Sequence, residues 1–221
     1  MEKFSLNNLV YTKSFLIFVS HKNTKAMNYD LPNGNKLVVE QDQCDESPRQ
    51  WCNLAKMIFF GKHSHLGDKH DHKIQASHYN GWRELRRAIE LAYDVACIVP
   101  VYAYEHSGMT ISTEPFSCPW DSGQLGFAII TKKDLRNNYS IKRCTKKYKE
   151  YGVDIHIKGE VKTLDQFISG EVYQFQVQNE EGDNLDSCGG FYGDDINENG
   201  MLEYLSEENR KFIEESLVVT D

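Results

Sequence analysis

The sequence predicts an α+β domain, a mainly antiparallel sheet of hairpins with helices packed on one face. Three observations carry this expectation. Residues 171–178, EVYQFQVQ, alternate apolar and polar side chains, the pattern of a strand with one wet face. Two turn signals, Ser107-Gly108 and Asp121-Ser122-Gly123, each join runs of strand-forming residues. Trp82, Leu85, Ile89, Ala92 and Ala96 recur at the helical period and mark a helix over 82–96 whose apolar stripe seeks a sheet. Alternation and hairpin pairing argue against a doubly wound parallel sheet, whose strands are apolar on both faces.

At 221 residues, with 40% apolar and 12% aromatic side chains, the chain is long enough and apolar enough to bury one proper core. Residues 1–26 read as an N-terminal extension. Their apolar run at 15–19 is too short to cross a bilayer and poorly flanked for an export signal. Residues 27–221 then form a single α+β domain with an acidic C-terminal part. Six cysteines occur without a C-x-x-C pair, which disfavours a zinc knuckle, and free cytoplasmic thiols are the simplest expectation.

Within that domain, Asn33-Gly34 is a hairpin turn leading into a strand over 36–42. Ser47 is placed to cap a short helix that opens on Pro48. Leu54, Met57 and Ile58 follow at helical spacing, with Gly61 as the stop. The run 98–104 reads as a strand that Pro100 confines to an edge or to a strand's beginning. Residues 109–113 return from it, and 124–131 form a further strand. Leu164, Phe167 and Ile168 mark a short helix closed by Gly170. Residues 185–193 pair back onto 171–178. Residues 195–200 imitate half of a calcium-binding loop, but Ser206 stands where a bidentate Glu is required, so an Asx-rich turn is expected. A C-terminal helix docked by Leu205, Phe212 and Ile213 follows.

Candidate site residues concentrate in the stretch 105–127. Two readings stay open. In one, His106 acts as base, Cys118 or Ser122 as nucleophile and Asp121 as the orienting carboxylate. In the other, the polar side chains satisfy an irregular loop, with Trp120 and Phe116 buried beneath it and Asp121 accepting backbone N–H groups of its own turn or of 186–190. A second cluster, His63, His65, His70 and His72 beside Asp68 and Asp71, has ligands suited to a divalent metal but lacks a metalloprotease helix pattern. No other cofactor is implied.

Charge is segregated along the chain. The formal net charge of −8 argues against a general nucleic-acid binder. Residues 132–149 nevertheless carry eight Lys/Arg against one Asp, and residues 171–221 carry 14 Asp/Glu against two Lys/Arg. The basic segment, with Lys142, Arg143, Lys146 and Lys147 among Tyr139 and Tyr148, suits either an anionic partner or solvated helices whose tyrosines turn inward. Trp120 and Asp186 complete the residues expected at a binding surface.

The stretch EHSGMTISTEPFSCPWDSGQLGF, together with 46–49 (ESPR), Trp51, Asn53-Leu54, 66–68 (LGD), 186–193 (DSCGGFYG) and 199–202 (NGML), resembles a family of uncharacterised bacteriophage and mobile-element proteins. The chain departs from that pattern at Cys52, Ala55 and near Gly61, where the family carries Asp, Gly and His. The resemblance implies an accessory protein of the host bacterial cytoplasm, non-enzymatic and not membrane-bound. Its partner would be a host protein or a protein–nucleic acid complex, with inhibition of a defence system as one role. A small hydrolase or transferase built on His106, Cys118, Asp121 and Ser122 is the alternative.

Overall fold

In the computed structural model, residues 26–43, 46–70 and 73–218 are described. His72 and nearly all of the expected extension lie outside them. Among the described residues, eight strands form two antiparallel four-stranded sheets. One comprises β1 (Met27–Asp30), β2 (Lys36–Gln41), β7 (Val172–Gln178) and β8 (Asn184–Tyr192), in that spatial order. The other runs β3 (Lys56–Phe59), β6 (Ser122–Thr131), β4 (Val95–Glu105) and β5 (Met109–Ser112). The expected α+β fold of antiparallel hairpins is therefore what the chain adopts.

The second sheet is apolar on both faces. Met57, Val101, Ala128 and Ile130 face α2 (Lys132–Asn138) and the long helical stretch formed by α3 (Lys146–Tyr151), a π-helical segment (Gly152–Ile157) and α4 (Lys158–Ser169). Ile58, Phe127 and Ile129 face Leu85 and Ile89 of α1 (Trp82–Ala92). Burial on both faces explains why 54–58 reads as a helix from its sequence. A short apolar run has no period to distinguish the two states, and here it is β3. Helix α1 stops four residues earlier than the apolar spacing suggests, because Asp94 takes φ 45° and turns the chain into β4. β4 is interior, yet Pro100 fits. β5 pairs only with 102–105, so at Pro100 the strand has a neighbour on the β6 side alone.

The first sheet keeps one wet face, where Gln174 and Gln176 both donate to Glu40 Oε1. Its other face packs Leu37, Val39, Phe175 and Val177 onto Met201, Leu202, Leu205 and, from α5 (Glu207–Val218), Ile213. Phe212 does not dock; it is 41% exposed. The Asx turn expected at 195–200 is present, with Asp195 Oδ1 accepting the Asn197 N–H and Asn199 Oδ1 that of Met201. Helix α4 closes on Gly170 at φ 76° and feeds β7, and Val172 packs into the core of the second sheet, joining the two halves.

Candidate functional site

The central loop sits at the end of the β4–β6 ladder. Pairing of Tyr104 with Ser122 is extended by the Glu105 N–H donating to the Asp121 carbonyl at 2.8 Å, which brings Glu105, His106, Asp121 and Ser122 to one end of the sheet. Asp121 Oδ2 lies 3.5 Å from Cys118 Sγ and 3.6 Å from His106 Nδ1. The Ser122 hydroxyl donates to the Cys118 carbonyl. Thus the carboxylate stands between thiol and imidazole, whereas nucleophilic relay chemistry places the imidazole between nucleophile and acid.

Beside this group, Glu105 Oε2 meets Lys62 Nζ at 2.5 Å and His63 Nε2 at 3.1 Å. Those two contacts, Lys62 first, hold the Glu105 carboxyl below its ordinary range. Lys62, His63, Glu105, His106, Trp120 and Asp121 line a cleft of about 790 Å³. The His106 ring stacks at 6.4 Å on Tyr104, which leans on Phe116 at 5.7 Å.

Two expectations for this loop are overturned. Trp120 is 92% exposed, on the loop that carries Pro115 and Pro119 and outside the buried cluster; Phe116 is half-buried against Tyr104. The Asp121 carboxylate takes the Cys118 thiol, not backbone N–H groups, and the segment 186–190 belongs to β8 in the other sheet. There Gly190 N–H donates to Asp42, and Asp186 is exposed on an edge strand.

Among the described residues, the His-rich segment sends its rings to different partners. His63 turns to Glu105, His65 Nδ1 lies 3.2 Å from the Lys62 carbonyl, and the His70 ring packs on Phe60 at 5.3 Å. Among the described residues no group of three or more His, Cys, Asp or Glu is arranged to hold a metal ion.

A largely buried charge cluster joins three distant segments. Arg49 Nη2 and Nε contact Asp68 at 2.6 and 3.3 Å, Nη1 contacts Glu160 at 2.8 Å, and Nη2 also donates to the Ala55 carbonyl. Glu160 Oε1 accepts the N–H groups of Leu54 and Ala55, and Asp68 Oδ2 accepts that of Met57. Desolvation pushes the Arg49 guanidinium down, but its two carboxylate partners outweigh this and hold it above its usual value. Every member is occupied, so the cluster is a clamp. It shapes two recesses, of about 580 and 230 Å³, on either side of Trp51.

The basic segment lies on α2, α3 and the loop between them. Lys142, Arg143, Lys146 and Lys147 are all exposed; Lys146 reaches Glu150 at 3.7 Å, and Lys147 sits 5.4 Å above the Tyr151 ring. Among the described residues no ion pair joins 132–149 to 171–218, so the charge asymmetry of the sequence survives folding.

No known family model matches the chain, and searches of curated proteins and of solved structures also find no match. Among the described residues no helix is long and apolar enough to cross a membrane.

Proposed function

We propose that the chain is a non-enzymatic accessory protein of the bacteriophage and mobile-element type its motifs resemble. It binds a host macromolecule in the bacterial cytoplasm, a protein or a protein–nucleic acid complex, and inhibits a defence system by occupying it. The observation that carries this reading is Trp120, 92% exposed at the mouth of the cleft on a loop tied to β4 and β6 by hydrogen bonds. A large indole held out on an ordered loop is typical of a residue that a partner desolvates. The order thiol–carboxylate–imidazole supports binding over catalysis.

The test is capture from bacterial lysate by the parent and by Trp120→Ala. Recovery of a host component by the parent alone is expected. Recovery of nothing, or of the same component by both, removes the reading. The hydrolase or transferase alternative draws on an exposed His106 and a half-buried Cys118 meeting at one carboxylate beside a cleft. Ester or thioester turnover that disappears in Cys118→Ala would favour it.

A further inference from the structure

The chain's motifs converge on a second surface, remote in sequence from the Trp120 loop. Trp51, 47% exposed, stands between two recesses. The larger is lined by side-chain amides, Asn53, Asn137 and Asn138, of which Asn53 donates to the Pro48 and Trp51 carbonyls and Asn138 meets His156; its carboxylates are engaged too, Asp68 by Arg49 and Asp134 by Thr131. The smaller is shared by Trp51 and His156. From His156 an aromatic path continues. Its Nε2 lies 3.1 Å from the Tyr139 hydroxyl, Tyr139 packs on Tyr148 at 5.3 Å and on Tyr151 at 6.3 Å, and Lys147 covers Tyr151. Lys142 and Arg143, in the loop that follows Tyr139, and Lys147 over Tyr151 are exposed and have no carboxylate partner among the described residues. Tyr139 and Tyr148 are half-buried and Tyr151 lies under Lys147, so all three support the strip; the accessible ring is Trp51.

We propose that this strip binds single-stranded nucleic acid. A base stacks on Trp51, the Asn137 amide and the Asn53 side-chain oxygen meet base edges in the larger recess, and Lys142, Arg143 and Lys147 track the phosphates. Aromatic faces interleaved with unpaired cations are what a flexible single strand needs; a duplex hides its base faces. The acidic segment forms no ion pair with the strip among the described residues, although its Tyr192 packs edge-on against Trp51 at 5.4 Å, and salt weakens the repulsion between exposed charges. An acidic protein would use the cations but would leave the aromatic and amide residues without a role.

The test uses the full chain and a fluorescent oligothymidine of about 12 nucleotides at low salt. Binding should weaken with salt, and the combined Lys142→Glu, Arg143→Glu and Lys147→Glu variant should abolish it. Trp51→Ala should weaken it by about tenfold or more, as loss of one stacked base does. Trp51→Phe, which keeps a stacking face, should restore most of the affinity. Trp120→Ala should leave it unchanged, so this inference and the Trp120 reading can fail separately. Absence of binding by the parent, equal binding to a duplex of the same length, or binding indifferent to Trp51→Ala would each overturn the proposal; so would charge-dependent capture of an acidic protein without any oligothymidine binding.

Discussion

The Arg49 guanidinium grips the Asp68 carboxylate through two nitrogens, at 2.6 and 3.3 Å, and so fastens the segment before β3 to the segment after it. Its remaining nitrogen reaches Glu160, 111 residues away on α4. The side chain of Arg49 is only 7% exposed, and those of Asp68 and Glu160 are 19% and 14% exposed. One cation therefore neutralises two nearly buried carboxylates that also hold the backbone of 54–57 in place.

Arg49→Ala should lower stability by about 3–5 kcal/mol, because it strands two buried anions. Arg49→Lys keeps the charge but not the planar fork, and should fall between parent and Ala. Urea denaturation measures both. A midpoint for Arg49→Ala equal to the parent's would mean that the clamp contributes nothing to the fold.

Gly126 on the central strand β6 is pressed against β3. A Cβ there would run into the Ile58 carbonyl oxygen and lie 2.9 Å from Phe59 Cα. Backbone cannot yield as a side chain can, so Gly126→Ala should cost about 3 kcal/mol. Gly108→Ala, in a turn with open space around it, should change stability by less than about 0.5 kcal/mol. Thermal melts of the pair decide the point; equal melting temperatures would contradict the β3–β6 packing.

Elements with a clean period are legible in the amino-acid pattern. β7 alternates, α1 carries a stripe, and Gly170 stops α4. β3 is not legible, because both faces of Met57-Ile58 are buried and the run is too short to show a period. At the candidate site, residue types bring Glu105 to Ser122 into view but not their arrangement. Trp120 reads as a core residue by type, yet the fold leaves it 92% exposed. The Arg49–Glu160 contact spans too much chain for any local motif. One signal is present: Glu160 lies between Ile157 and Leu164 on the inward stripe of its helix, and a carboxylate there requires a cation.

Thiol chemistry should divide the cysteines. Burial pushes the Cys97 thiol up to about 11, against the opposing effect of Lys149, and its Sγ faces the Lys149 carbonyl. Cys52 is exposed. At neutral pH a small thiol reagent should modify Cys52 promptly and Cys97 only after unfolding. Peptide mapping after brief labelling checks this, and early modification of Cys97 would show that α3 opens readily from β4.

Asp165 on α4 ties that helix to β5, accepting the Thr110 hydroxyl at 2.7 Å and the Ile111 N–H at 2.6 Å. Burial raises its carboxyl above the ordinary value of 3.8, and the two hydrogen bonds only partly oppose this. The folded state therefore holds the Asp165 proton more tightly than the unfolded state. Its stabilising share is fully present below the ordinary value and is lost as pH rises through the raised one. Asn in its place keeps an acceptor oxygen for both donors and removes the charge. Asp165→Asn should thus gain stability relative to the parent at neutral pH, and the gain should shrink as pH falls through the raised value toward the ordinary one. Denaturation midpoints of the two proteins, compared at neutral pH and near pH 4, measure the difference. A gap that widens on acidification would mean that the ionised carboxylate is favoured by the fold, with the hydrogen bonds from Thr110 and Ile111 outweighing burial.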